Sequence, residues 1–281
     1  MMRTIDVKEV TAVLKKISIE ACTILNDDVM NCFKNSMKDE SPVGKAVLEQ
    51  LVKNAEIAKE EKMPICQDTG FSCVFMEIGQ DVHLTGGSLR EAVDEGIRQG
   101  YTEGYLRKSV VKNPLLDPKN SGDNTPAILH TDIVPGDKVK ITIVPKGGGS
   151  ENMSRVNMMK PADGVEGVKQ FVLDTVRNAG PNPCPPIVVG VGMGGTFDYV
   201  TYLAKKSLMR KIGERNKDPK LAELEKEWLE EVNKLGIGPG GLGGKLTAMD
   251  LFIEEYPRHI ASYPAAVNIQ CHAARCKSCV L

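Results

Sequence analysis

The sequence predicts an α+β fold, a helix-rich single domain over residues 1–281 with short mixed strands. Three observations support this. Capped amphipathic segments with helical spacing dominate the chain. The apolar runs of strand length are short and scattered, and they do not alternate with helices as a βαβ array would. A length of 281 residues, 41% hydrophobic and 26% charged, fits a globular chain able to bury a core.

Near the start, Val7, Val10, Val13, Leu14 and Ile17 follow helical spacing. Ser41-Pro42 sets a cap before a proline at the first helical position, so a helix runs from Pro42 to about Glu60. The segment around Cys66 interrupts it as a loop, and Cys73 to Ile78 reads as a strand. Ser88-Leu89-Arg90-Glu91 is a capping box opening a helix through Gly100 and at most to Arg107. Residues 112–126, rich in Asn, Pro, Asp and Gly, form a loop. Between Lys138 and Val144, the alternation of Val139, Ile141 and Ile143 marks a half-buried strand, followed by the glycine-rich loop Lys146–Asn152. Asp163 caps a helix to Asn178, with Glu166 three residues on and Gly180 beyond its end. Ile187 to Val191 is an apolar strand ending in glycines, and a helix runs from Phe197 to Arg210. Asp218-Pro219 starts another, with Leu221, Leu224, Trp228, Leu229 and Val232 on one face and Gly236 as its stop. Residues 236–244 hold six glycines and form a second glycine loop. No internal repeat or disordered tail is evident.

The net charge of −1 implies no nucleic-acid or anionic-membrane partner. The first ten residues lack the apolar core of a secretory signal, and no apolar run is long enough to span a bilayer. The expected location is the cytoplasm, with the eight cysteines reduced. Cys22, Cys32 and Cys73, among apolar neighbours, read as core residues.

Three other cysteines lie far apart in settings that suit a buried metal site. Cys66 sits in Pro64-Ile65-Cys66-Gln67-Asp68-Thr69-Gly70, Cys184 in Pro183-Cys184-Pro185-Pro186, and Cys271 in Gln270-Cys271-His272-Ala273-Ala274-Arg275. Three thiolates on three distant loops can hold three irons of a [4Fe–4S] cluster and leave the fourth open as a Lewis acid. Beside Cys66, Gln67 and Asp68 read either as a substrate contact or as a turn in which Asp68 bonds backbone N–H groups and Gly70 supplies φ > 0. Gly190 to Thr196 contains G-x-G-x-x-G, but no second parallel strand follows its helix, which argues against a dinucleotide site. A helix N-terminus facing an anion and glycines serving close packing remain as equal readings. Arg107 is a candidate clamp for a carboxylate or a solvated charge at a helix end, and His259 is a catalyst or a hydrogen-bonded structural residue. Cys271, Cys276 and Cys279 show the spacing C-x4-C-x2-C, yet they close on the end of the chain, where a frayed tail is the simpler reading.

Together, Pro64–Gly70, Cys184-Pro185-Pro186 with Gly190–Thr196, and His259 through Arg275 resemble the class I (iron–sulfur) fumarate hydratase and tartrate dehydratase family over nearly the whole chain. The resemblance is to its α-type subunit, the N-terminal half of the fused enzymes. It implies that Cys66, Cys184 and Cys271 ligate one [4Fe–4S] cluster per α/β active site. It also implies that Gln67, Asp68, Arg107, Gly148 and His259 meet a small dicarboxylate substrate, with Asp68, tuned by His259, as the acid on the hydroxyl side. The base at the C–H would come from a β-type partner subunit, in a heteromer of two α and two β chains. The implied reaction is reversible trans hydration of fumarate to (S)-malate, or the dehydration of L(+)-tartrate. Cys276 and Cys279 depart from the family pattern. They support an alternative of another class, an electron-transfer or redox-sensing protein with a cluster held by four thiolates. A third reading is a scaffold subunit whose partner holds the whole site.

Overall fold

The computed structural model describes residues 2–281; Met1, the first residue of the N-terminal stretch read above, lies outside them. In chain order the elements are β1 (Arg3–Asp6), α1 (Val7–Thr23), α2 (Asp27–Ser36), α3 (Pro42–Glu61), β2 (Phe71–Gly79), β3 (Val82–Thr85), α4 (Leu89–Glu103), β4 (Val111–Lys112), β5 (Lys119–Asn120), β6 (Ile128–Val134) and β7 (Val139–Lys146). They continue with α5 (Gly148–Glu151), β8 (Arg155–Met159), α6 (Gly164–Ala179), β9 (Ile187–Gly194), α7 (Phe197–Ser207), α8 (Pro219–Lys234), β10 (Ala248–Tyr256), β11 (Tyr263–Gln270) and β12 (Lys277–Val280). The class is α+β. Among the described residues, no helix is long and apolar enough to cross a membrane.

These elements form two compact units built from discontinuous stretches. The first takes the chain up to Leu25, Asn54–Gly148 and Arg275–Leu281; the second takes Asn26–Lys53 and Gly149–Ala274. In the first unit a mixed sheet has the order β12-β7-β2-β6, with β2 parallel to β6 and antiparallel to β7. Helices α1 and α4 cover it, and Val10, Leu14, Ile17, Val93, Ile97 and Tyr101 pack on Val74, Met76, Ile141 and Ile143. The Asp6 capping box with Glu9 fixes the start of α1, and the Ser88 hydroxyl accepts the Glu91 N–H at the start of α4.

In the second unit the sheet order is β10-β9-β11-β8, with β9 parallel to β10 and antiparallel to β11. Helices cover both faces. Val168, Val172 and Val176 of α6 and Trp228 and Val232 of α8 meet Val189, Val191, Leu251, Ile253, Val267 and Ile269 on one face. Val200 and Ala204 of α7 meet Ala266 on the other. Asp218 caps α8 through the Lys220 N–H, with Pro219 at its first position.

The strands are longer and more ordered than the sequence suggests. They reach nine residues in β2 and β10 and build two four-stranded sheets. Strand β7 is buried on both faces apart from Lys140; the Thr142 hydroxyl meets that of Ser278 at 2.8 Å, which satisfies it inside. Asp163 stands before α6, but its carboxylate accepts the Lys160 N–H at 2.9 Å and leaves α6 without a side-chain cap. The 3-10 turn Pro161–Asp163 diverts it. The loop after β7 contains the one-turn helix α5. The C-terminal segment is not frayed: β12 pairs antiparallel with β7, and Leu281 exchanges two backbone hydrogen bonds with Val139.

Candidate functional site

In the first unit the Cys66–Gly70 turn joins α3 to β2. The Asp68 N–H reaches Cys66 Sγ at 3.4 Å, and the Cys66 thiol faces Gln67 Oε1 at 3.3 Å. Both Asp68 carboxylate oxygens are held by main-chain donors, Oδ1 by the Gly70 N–H at 2.9 Å and Oδ2 by the Gly148 N–H at 2.8 Å. The turn reading of Asp68 is therefore correct, and Gly70 has the expected positive φ of 80°. A Cβ at Gly70 would also lie 2.7 Å from the Lys146 nitrogen. Each carboxylate oxygen keeps a second lone pair for a substrate. The Thr69 hydroxyl donates to the Arg107 carbonyl at 3.0 Å, which ties the Arg107 segment to the turn. Arg107 itself lies beyond the end of α4 with an exposed side chain. Cys66, Gln67, Asp68, Arg107 and Gly148 thus assemble around one turn of the first unit.

Several residues beneath this turn escape sequence reasoning. The fully buried Tyr101 donates its phenol to the Thr69 carbonyl at 2.7 Å, with the Gly70 carbonyl at 3.2 Å. The Cys22 thiol also points at the Thr69 carbonyl, at 3.7 Å. Burial pushes the Cys22 thiol up to about 11 against the pull of the Arg275 guanidinium, and burial likewise lifts the Tyr101 phenol above its usual range. Buried Asn124 bridges the Gly70 carbonyl and the Ser109 N–H. Arg275, 2% exposed, donates to the Asp68 carbonyl at 2.8 Å. Its sequence signal was its place at the end of the Cys271 segment; that it holds Asp68 depends on a contact spanning 207 residues.

In the second unit Cys184 lies just before β9, separated from it by Pro185 and Pro186, and Cys271 immediately follows β11. The strands are antiparallel with Gln270 opposite Val188, so both thiols fall at the same end of the sheet. The His272 N–H donates to the Cys184 carbonyl at 3.1 Å and locks the two segments together. Cys184 takes a left-handed φ of 56° and is exposed, and Cys271 is half-buried. His259 lies elsewhere: it precedes β11, an eight-residue strand of roughly 26 Å, whose far end carries Cys271. It sits exposed on a turn, its Nδ1 accepting the Ala261 N–H at 3.2 Å. The second unit does not bring His259 to its own Cys184–Cys271 pair.

Against the sequence reading, a second parallel strand does follow this turn, since β10 pairs parallel with β9 after α7 and α8; the glycine turn after Ile187 nonetheless belongs to close packing. Gly190 and Gly192 lie inside β9, where a Cβ would fall 2.2 Å from the Ala204 and Val200 carbonyls of α7. Cys22 and Cys73 are core residues as expected, and Cys32 is half-buried with its thiol pushed by burial up to about 11.

Among the described residues, no three His, Cys, Asp or Glu side chains gather as they would around a single ion. For an iron–sulfur cluster the donor chemistry fits. Cys66, Cys184 and Cys271 are free thiols on loops with partly or fully exposed side chains, and the Asp68 N–H already points at Cys66 Sγ.

A model of the fumarate hydratase (fumerase) family matches residues 11–280. The chain belongs to that family. A Methanocaldococcus jannaschii protein provisionally named L(+)-tartrate dehydratase subunit alpha is 45% identical over 273 residues, covering 95% of both chains. The L(+)-tartrate dehydratase subunit alpha of Escherichia coli (strain K12) is 32% identical over 274 residues, covering 96% of this chain and 89% of that one. The matched relatives are therefore α-type chains of the fumarate hydratase and tartrate dehydratase family, and the enzyme class of the family is hydro-lyase.

Proposed function

We propose that this chain is the α-type subunit of an iron–sulfur hydro-lyase that reversibly hydrates fumarate to (S)-malate together with a β-type partner, in a heteromer of two chains of each kind. The observation that carries the reading is the Asp68 turn. It sets a carboxylate pinned by two backbone N–H groups beside a reachable thiol and next to the exposed Arg107. Cys66, Cys184 and Cys271 would hold a [4Fe–4S] cluster. When bound, the cluster supplies a Lewis-acidic iron for the substrate hydroxyl and one carboxylate.

The remaining roles fall to this chain's own side chains. Arg107 receives a substrate carboxylate through its guanidinium fork. The Gly147–Gly148 main chain shapes the pocket wall against Asp68 Oδ2, and Gln67 lines it beside Cys66. Asp68 gives a proton to the hydroxyl as it leaves as water, and takes one back from water in the hydration direction. Arg275 holds the Asp68 carbonyl and fixes that residue in place, and the tuning of its proton transfer is assigned to His259. The base that removes the C–H proton is assigned to the β-type partner.

A second reading, dehydration of L(+)-tartrate to oxaloacetate, is favoured by the names of the relatives. The two substrates differ by one hydroxyl, and a site built to bond that hydroxyl discriminates strongly. Steady-state rates of the co-expressed α/β complex with (S)-malate, fumarate and L(+)-tartrate decide between them. A kcat/KM for malate above that for tartrate is expected; the reverse order makes the chain a tartrate dehydratase subunit.

Arg275→Lys keeps the buried charge but loses the guanidinium N–H that holds the Asp68 carbonyl. It is expected to lower kcat of the complex by about 10–100-fold, since small misplacements of a catalytic group have effects of that size. KM and the unfolding midpoint should stay close to those of the parent. A kcat equal to the parent's would remove Arg275 from the site.

A further inference from the structure

We infer that the second unit carries a binding site for a small organic monoanion with an apolar body, at the carboxyl ends of β9 and β10. The two strands run parallel and finish side by side, with Met193 opposite Glu255. In sheets covered by helices on both faces, ligands settle beyond the carboxyl ends of parallel strands. A cavity of about 390 Å³ lies there, lined by Val168 of α6, Leu224 and Trp228 of α8, and Tyr263 at the start of β11. The exposed Glu255 and Arg258 complete it. Its volume falls within the usual range for small-molecule sites, about 300–1,000 Å³.

Two features beyond shape point to a ligand. Trp228 is 3% exposed, yet its indole N–H has no hydrogen-bond partner. A buried donor left unpaired is unfavourable, and an acceptor brought by a ligand relieves it. Arg258 is fixed but not neutralised. One guanidinium nitrogen donates to the carbonyls of His259, Ile260 and Ser262, and the group stacks over Tyr263 at 4.9 Å. Among the described residues no carboxylate pairs with it. A held cation above apolar walls selects an anion attached to hydrocarbon. Glu255 on the same lining disfavours a second negative charge, so the ligand class is a monocarboxylate or monosulfonate, not a dicarboxylate.

Trp228 is the only tryptophan of the chain, so it reports on its own cavity. The test titrates the full chain with 8-anilinonaphthalene-1-sulfonate, an aromatic monoanion, and reads energy transfer from Trp228. Saturable binding of one dye per chain is expected, with displacement by octanoate. Arg258→Ala should weaken it about tenfold, the effect of losing a hydrogen bond to a charged group. Val165→Phe, at an exposed position of α6 on the cavity lining, fills the cavity, keeps the charge and should abolish it. Both variants should keep the parent's unfolding midpoint. Absence of saturable transfer, or transfer indifferent to both substitutions, overturns the site. So does dye binding that disappears as the chain self-associates in sedimentation, since the cavity would then belong to an interface between copies.

Discussion

Replacing Cys66, Cys184 or Cys271 with serine, one at a time, is expected to strip iron and sulfide from the chain and bring the α/β complex to assay background. Each thiolate is the sole protein ligand of one iron in the proposed arrangement, and a serine hydroxyl is a poor substitute for a soft sulfur donor. The three replacements should be equivalent in effect although their settings differ. Cys66 lies in the turn held by Tyr101, Asn124 and Arg275, while Cys184 and Cys271 flank the antiparallel pair β9 and β11. Folding should survive, because all three side chains stand on loops and none belongs to an apolar core. Cys276→Ser and Cys279→Ser serve as the contrast. Those thiols belong to the β12 end of the first sheet, where Cys279 packs against the core. Iron content and activity should persist without them. Cluster loss on replacing Cys276 and Cys279 would instead support the four-thiolate, electron-transfer reading. Unchanged activity in Cys66→Ser would support the scaffold reading.

Glu225→Ala is expected to have the largest effect on stability, about 3–5 kcal/mol, the range for breaking a buried ion pair by removing one partner. Glu225 is 0% exposed and accepts from Arg210 at 2.6 and 3.1 Å, from the Asn216 N–H and from the Ile253 N–H, both at 2.9 Å. Arg210 also stacks on Phe252, and Arg215 lies 3.8 Å from the same carboxylate while forking onto buried Asp250. Burial holds the Asp250 carboxyl above its ordinary range despite Arg215. Removing Glu225 leaves Arg210 facing a cavity and two backbone N–H groups without acceptors. Glu225→Gln, which keeps one oxygen, should lose less. Urea unfolding measures both. A loss below about 1 kcal/mol for Glu225→Ala would mean that the network behaves like an exposed surface pair.

The sequence discloses whatever is local. Helices α3, α4 and α8 announce themselves through Ser41-Pro42, Ser88 and Asp218-Pro219, because caps and proline positions act within one turn. The Cys66–Gly70 turn is legible for the same reason: Asp68 and Gly70 are two residues apart. Contacts made across the chain are not legible. Strand β10 carries Asp250, Glu254 and Glu255, charges that hide its apolar run until Arg210 and Arg215 are seen to neutralise the buried ones. Strand β12 looks like a tail until β7 pairs with it. Cys22 reads as a plain core residue and Tyr101 carries no local signal, and the place of both under the Thr69 carbonyl depends on how α1 and α4 sit on the sheet. His259 matches a motif twelve residues before Cys271, but a fully extended β11 lies between them, so nearness in sequence becomes distance in space.

In the proposed arrangement three thiolates of this chain hold a cluster with one iron free of protein ligands. The direct measurement is an EPR spectrum of the anaerobically reconstituted protein after mild one-electron oxidation. A [3Fe–4S] signal that returns to the EPR-silent state on adding iron and reductant is the predicted result, because the open iron leaves and rebinds. A cluster that keeps all four irons under the same oxidation would contradict the account and place a fourth thiolate on it.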